Sequence, residues 1–114
     1  MQRYVVVPLP FGPCAELDLY ARVALGLIWD RYKASRYNTL YTGRGSWVLP
    51  GGQIYCIYPQ QELAADIGCS ERTARRCIAD LREAGCIECV RAAYGGAYCI
   101  TVTQLSKDYL SPQD

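Results

Sequence analysis

Residues Asp66–Arg91, DIGCSERTARRCIADLREAGCIECVR, concentrate two kinds of reactive side chain. Cys69, Cys77, Cys86 and Cys89 are four of the seven cysteines, and the last two form a Cys-x-x-Cys. Arg72, Arg75, Arg76, Arg82 and Arg91 share the same stretch. Thiolates bind metals or exchange electrons. Guanidinium groups grip the O6 and N7 of guanine, or clamp phosphate oxygens, through paired donors. A structural zinc usually takes four ligands, and a chain with no histidine must supply mostly cysteine. Only one Cys-x-x-Cys exists, with no second pair at ribbon spacing. If a strand begins at Cys86, that residue and Cys89 face opposite ways. Cys77 takes a place where leucine would fit, and buried thiols pack as small hydrophobes. The expectation is neither metal nor cofactor, and arginine as the working residue.

The elements that must carry these arginines follow from periodicity and punctuation. Leu63, Ala64 and Ile67 form the inner side of a helix opened by Pro59 or Gln60. Gly68 breaks it, since glycine readily takes the left-handed conformation at helix ends. Ser70 caps a second helix, Glu71 to Ala84, by accepting from a free backbone N–H. Ala74, Cys77, Ile78 and Leu81 recur at helical spacing as its core face. Arg72, Arg76 and Ala79 then point opposite, with Arg75 at the edge. Gly85 stops the helix. Cys86–Arg91 and Ala97–Val102 read as strands joined by Ala92-Ala93-Tyr94-Gly95-Gly96, a hairpin turn.

Upstream, Arg3–Pro8 reads as a short strand or an extended arm. Asp18 caps a long helix, Leu19 to Lys33. Ala21, Ala24, Leu25, Ile28 and Tyr32 share one face, and Tyr20, Val23 and Leu27 widen it beyond a surface stripe. This helix belongs at the centre of the core. Arg31 falls inside the apolar arc and needs a carboxylate or carbonyl partner. Trp29, Gly26 and Leu19 lie outside the main arc, which suggests a patch for a second subunit. The stretch RYKASRYNTLYTGR, Arg31–Arg44, has four basic residues, no acid and three tyrosines. It suits a packed loop, a subunit contact or a nucleic-acid contact. A loop follows, with a small hairpin around Trp47, then a strand over Gln53–Tyr58. Thr103–Asp114 is polar and reads as a linker or trailing end, so the domain is set at 1–103 and the tail at 104–114.

Composition sets the outer limits. A chain of 114 residues suits one domain with a modest core. The net charge of +1 creates no global field, so any basic site is local. No apolar run reaches the ~18 residues that span a membrane. Seven scattered cysteines, an odd number, fit a reducing compartment, hence the cytoplasm. No Walker loop or dinucleotide fingerprint appears, and no residues are arranged for catalysis. The chain is expected not to be an enzyme.

Helix, tight turn, helix and two-stranded hairpin is the order of a winged helix-turn-helix, an α+β fold whose second turn helix enters the DNA major groove. Ser70, Arg72, Thr73, Arg75 and Arg76 sit on the early turns of that helix, and its N-terminus adds free N–H groups. The alternative is a solvated helix face, since Ser70–Gly85 holds four arginines against three acids. Asymmetry favours contact with nucleic acid: three arginines lie in the first half and two of the acids in the second.

The chain resembles the N-terminal domain of plasmid replication initiator proteins, the RepA N-terminal family. The likeness is carried by ARVALGLIWDRYKASRYN (Ala21–Asn38), by QIYCIYPQQELAADIGCSERTARRCIADLREAGCIE (Gln53–Glu88), by the leading RYVVVPLPF and by the final tyrosine-bearing strand. In the first piece Ala21, Leu27, Asp30, Arg31, Ser35 and Asn38 match. The resemblance implies binding to double-stranded DNA at origin repeats, a homodimer, and contact with replication machinery through a further C-terminal domain. It implies DNA contacts from the helix of Arg72, Thr73, Arg75 and Arg76, and from the wing. The wing departs from the family pattern, since AAYGGA has no charge, leaving Arg91 and Tyr94 as its candidates. A small winged-helix transcriptional regulator and a protein-interaction module of the same fold are the competing readings.

Overall fold

The computed structural model describes residues 4–42, 47–91 and 98–110, the side chains of Arg91 and Tyr98 excepted. Its elements are α1 (Leu19–Tyr37), β1 (Cys56–Ile57), α2 (Gln60–Ile67), α3 (Glu71–Glu83), β2 (Ile87–Arg91), β3 (Tyr98–Val102) and α4 (Gln104–Leu110). The strands form an antiparallel sheet in the order β1-β3-β2. This is the expected α+β winged helix-turn-helix, with α2 and α3 as the turn pair and β2–β3 as the wing strands.

Asp18 starts α1 as expected, its carboxylate accepting from the Ala21 N–H at 2.9 Å. Ala21, Ala24, Leu25, Leu27, Ile28, Trp29 and Tyr32 are all buried, so α1 is the centre of the core. It runs four residues past the expected end at Lys33 and widens into a π-type turn over Asn38–Thr42. Leu63 and Ala64 of α2 and Ala74, Cys77, Ile78 and Leu81 of α3 close on it. Gly68 joins α2 to α3 at φ 86°, where a side chain would strain the turn. Trp47–Tyr55 forms the small hairpin, with Leu49 N–H bonded to the Gln53 carbonyl at 2.8 Å and Tyr55 N–H to the Trp47 carbonyl at 2.9 Å.

Three expectations need correction, and one choice between two readings is decided. Arg3 lies outside the described residues; of the two readings of Arg3–Pro8, the described residues Tyr4–Pro8 form no strand and take the extended arm. Its partner is a helix. The Val6 carbonyl lies so close over Gly26 that a Cβ there would stand 2.2 Å away, and Arg22 holds the Pro8 carbonyl at 3.3 Å. The proposed subunit patch is therefore largely covered within the chain. Gly26 lies under the arm, and Trp29 is only 6% exposed and stacks on Tyr32 with centroids 5.8 Å apart. Leu19 alone of the three is exposed.

The strand expected over Gln53–Tyr58 shrinks to Cys56–Ile57, because the Thr101 hydroxyl, not a backbone N–H, donates to the Ile54 carbonyl at 3.1 Å. Finally, residues 104–110 are not a loose tail. Thr103 Oγ1 accepts from the Ser106 N–H at 3.4 Å and donates to the Gly85 carbonyl at 2.7 Å. The buried Ser106 hydroxyl donates to the Cys86 carbonyl at 2.7 Å. Tyr109 packs on Gly12 and donates to the Leu9 carbonyl at 3.2 Å. The segment looks polar because its polar atoms satisfy carbonyls just beyond α3.

The arm contact yields a test. Gly26→Ala must displace the Val6 carbonyl, and overpacking of this kind costs about 1–3 kcal/mol. Urea denaturation should show that loss; an unchanged midpoint would mean that the arm does not rest on α1.

Candidate nucleic-acid interface

The outward side of α3 is built from its inward side. Ala74, Cys77, Ile78 and Leu81 are buried, which sets the remaining residues toward solvent. Ser70 caps the helix, its Oγ accepting from the Thr73 N–H at 3.1 Å and donating to Thr73 Oγ1 at 3.1 Å. Both hydroxyls are thus engaged in the cap, though Thr73 keeps its own O–H to donate. Arg72 and Arg75 are exposed, and neither side chain has a hydrogen-bond or ion-pair partner among the described residues. They are the two free guanidinium groups on the first half of the helix.

Arg76 is exposed, as its helical angle requires, and is engaged in ion pairs. Its guanidinium reaches Asp80 at 2.6 Å and Asp18 at 2.9 Å. Asp18 also caps α1, so Arg76 fastens the middle of α3 to the start of α1. An i,i+4 acid was visible in the sequence at Asp80. The Asp18 contact spans the fold and had no local signal. Arg82 is exposed in the last turn of α3. At the wing, β2 and β3 pair from Ile87↔Val102 to Arg91↔Tyr98. Tyr94 and the Arg91 side chain lie outside the described residues.

One polar network ties α2, which precedes this surface, to α1 and β1. Arg31 meets the need read from its sequence position. It donates to the Ile57 carbonyl at 3.2 Å, forms an ion pair with Glu62 and lies over the Tyr58 ring at 3.7 Å. The Glu62 hydrogen bond pushes its already high pKa further up. Tyr58 in turn donates to Asp66, and burial drives its pKa well above the ordinary phenol value.

The cysteines are structural in placement. All seven are free thiols; Cys14, Cys56, Cys77 and Cys86 are buried, and Cys69, Cys89 and Cys99 are partly exposed. Among the described residues no group of three cysteine, aspartate or glutamate side chains is placed to hold a metal ion. Cys86 precedes β2 and rests against the Pro13 carbonyl at 3.8 Å. Cys89 pairs with Ile100 across β2–β3.

No family model matches the chain, and no curated protein matches it. Solved structures do. An MDR initiator superposes with a TM-score of 0.65 at 18% identity, over 90% of this chain and 78% of that one. The N-terminal domain of a DNA binding protein gives 0.66 at 16% identity, over 99% and 91%. A Rep-DNA complex gives 0.65 at 17% identity, over 99% and 92%. At such identities the likeness is one of fold, and it covers nearly the whole chain, the arm-bearing first half included.

Burial raises the Cys14 and Cys77 thiols to about 11 and Cys56 to about 12, from an ordinary 9.0. The folded state therefore keeps protons that the unfolded state releases. This contribution is intact below about pH 9 and is lost as pH climbs toward 11. Melting temperature should fall between pH 9 and 11, and Cys56→Ala should flatten that fall. An equally steep fall in the variant would place the alkaline sensitivity elsewhere. Elemental analysis should find no stoichiometric zinc; about one zinc per chain would overturn this account of the sulfur.

Proposed function

We propose that this chain binds double-stranded DNA in a sequence-specific way, with α3 as the reading helix, as the origin-binding domain of a plasmid or mobile-element replication initiator. The observation that carries the reading is the pair Arg72 and Arg75, exposed and without a partner among the described residues, on the capped end of a helix whose other face is wholly packed. Such a helix end presents N–H groups and a positive dipole to phosphates, while the arginines reach base edges. Structural neighbours described as an initiator and as a Rep-DNA complex support the same assignment.

Arg76 has a supporting part in this reading. Held by Asp18 and Asp80, it fixes the angle at which α3 meets the duplex. Arg91 and Tyr94 at the wing are the further candidate contacts. Pairing of two copies on neighbouring repeats also belongs to the proposal, since linked reading helices gain effective concentration. Gly26 and Trp29 are covered within the chain, so sedimentation with and without duplex has to define that contact.

Selection of bound sequences from a random duplex library gives the target, and repeats matching it beside the protein's own coding region distinguish an initiator from a regulator. On the selected duplex, Arg72→Ala and Arg75→Ala should each weaken binding by about 1–3 kcal/mol. Arg76→Ala should weaken it less and lower stability by up to about 1 kcal/mol, the range of exposed ion pairs. If Arg72→Ala and Arg75→Ala both bind like the parent, α3 is not the reader.

A further inference from the structure

The other end of α1 carries a surface that the reading helix does not use. From Lys33 to Thr42 the chain has two cations, Lys33 and Arg36, and no acid. The last turn of α1 and the π-type turn that follows bring Tyr37 and Tyr41 together, centroids 5.3 Å apart and planes tilted by 44°. Both rings stay open to solvent, 59% and 73% exposed. Behind them Trp29 is buried, with the Lys33 ammonium 5.6 Å over its ring. Trp29, Lys33, Arg36, Tyr37 and Tyr41 line one shallow depression of about 230 Å³, with no carboxylate among the described lining residues. Arg36 has no carboxylate partner among the described residues. It also borders a neighbouring cleft with Lys107, where Glu88 is the one acid among the lining residues.

Exposed aromatic faces beside cations that meet no carboxylate among the described lining residues suit an anionic polymer with flat apolar faces. Unpaired nucleic acid is that polymer, because stacking on tyrosine needs base faces that a duplex keeps inside its own stack. The site is also distinct from α3. Asp18, which meets Arg76, and Lys33 are separated by about 22 Å along α1 at 1.5 Å per residue. We infer that the C-terminal end of α1 is a second nucleic-acid site, which takes single-stranded DNA by stacking bases on Tyr37 and Tyr41 and pairing phosphates with Lys33 and Arg36.

A second copy of this chain is the competing occupant, and its acidic depression at Glu16, Asp80 and Glu83 is the surface of opposite charge. That surface is the poorer match. Asp80 is already paired with Arg76, and the depression has no aromatic ring to meet the tyrosines.

The test uses the 114-residue protein and a fluorescein-labelled twelve-nucleotide oligothymidine, followed by anisotropy at low salt. The parent should bind it. Tyr37→Ala and Tyr41→Ala should each weaken binding roughly tenfold, within the range for loss of one base stack. Arg36→Gln should weaken binding and lower the slope of log affinity against log salt by about 0.7, the value for one single-strand phosphate. These side chains are exposed, so melting temperatures should hold. Tyr37→Ala and Tyr41→Ala should still bind the selected duplex like the parent, which separates this site from the reading helix. The inference is overturned if the parent fails to bind at low salt, or if the three substitutions leave affinity intact. It is also overturned if sedimentation shows Tyr41→Ala dissociating a self-associated parent while oligothymidine affinity is unchanged; the surface then joins two copies of the chain.

Discussion

Arg31 is the constraint on which the placement of everything else depends. It stands on the central helix among apolar neighbours, and a guanidinium there must find partners in fixed directions. Its partners are the Ile57 carbonyl at the end of β1, the Glu62 carboxylate in the first turn of α2 and the face of Tyr58 between them. One side chain thus sets both the approach of the sheet's edge strand and the position of α2 along α1. Tyr58 extends the set by donating to Asp66 at the far end of α2. With both ends of an eight-residue helix held, the Gly68 turn leaves α3 little freedom of direction. Leucine at position 31 would add apolar contact and release all three directions.

That frame explains the charge pattern of α3. Small inward residues, Ala74 and Cys77, let the helix sit close to α1, near enough for Arg76 to reach Asp18. The ion-paired group of Arg76, Asp18 and Asp80 is then spent on structure. What remains is uneven: Glu71, Arg72 and Arg75 stand at the capped end, two cations to one acid, and Glu83 lies beside Arg82 at the other. A net charge of +1 for the whole chain therefore conceals a helix end where two arginines outnumber the one acid, Glu71. Local pairing, not total charge, decides where an anionic polymer would settle.

Much of this was legible in the sequence because much of it is local. Caps at Asp18 and Ser70, the stop at Gly68 and the four inward residues of α3 each rest on contacts within a turn or two. The need of Arg31 for a partner followed from its angle on the helix, although the identity of Glu62 did not. What could not be read was set by distant segments. Gly26 looked like an open face because nothing in the sequence says that a carbonyl twenty residues earlier lies on it. The tie from Arg76 to α1 was hidden because Asp18 is remote in the chain. Residues 104–110 looked like solvent-bound tail because serine and threonine signal polarity without revealing that carbonyls near residue 86 await them.

The strand order β1-β3-β2 has a consequence in time. The strand made last lies in the middle, so β1 and β2 have no contact until it arrives. A chain emerging N-terminus first can wind its helices as they appear. Its two outer strands must wait, β1 for some forty residues, with their backbone groups bonded only to water. Cys56 and Cys89, which flank Ile100 in the finished sheet, wait with them. The sheet closes in one late step, and the Thr103 and Ser106 bonds beyond α3 follow directly in synthesis order. Nascent chains ending before about residue 100 would carry α1, α2 and α3 without the strand that joins β1 to β2.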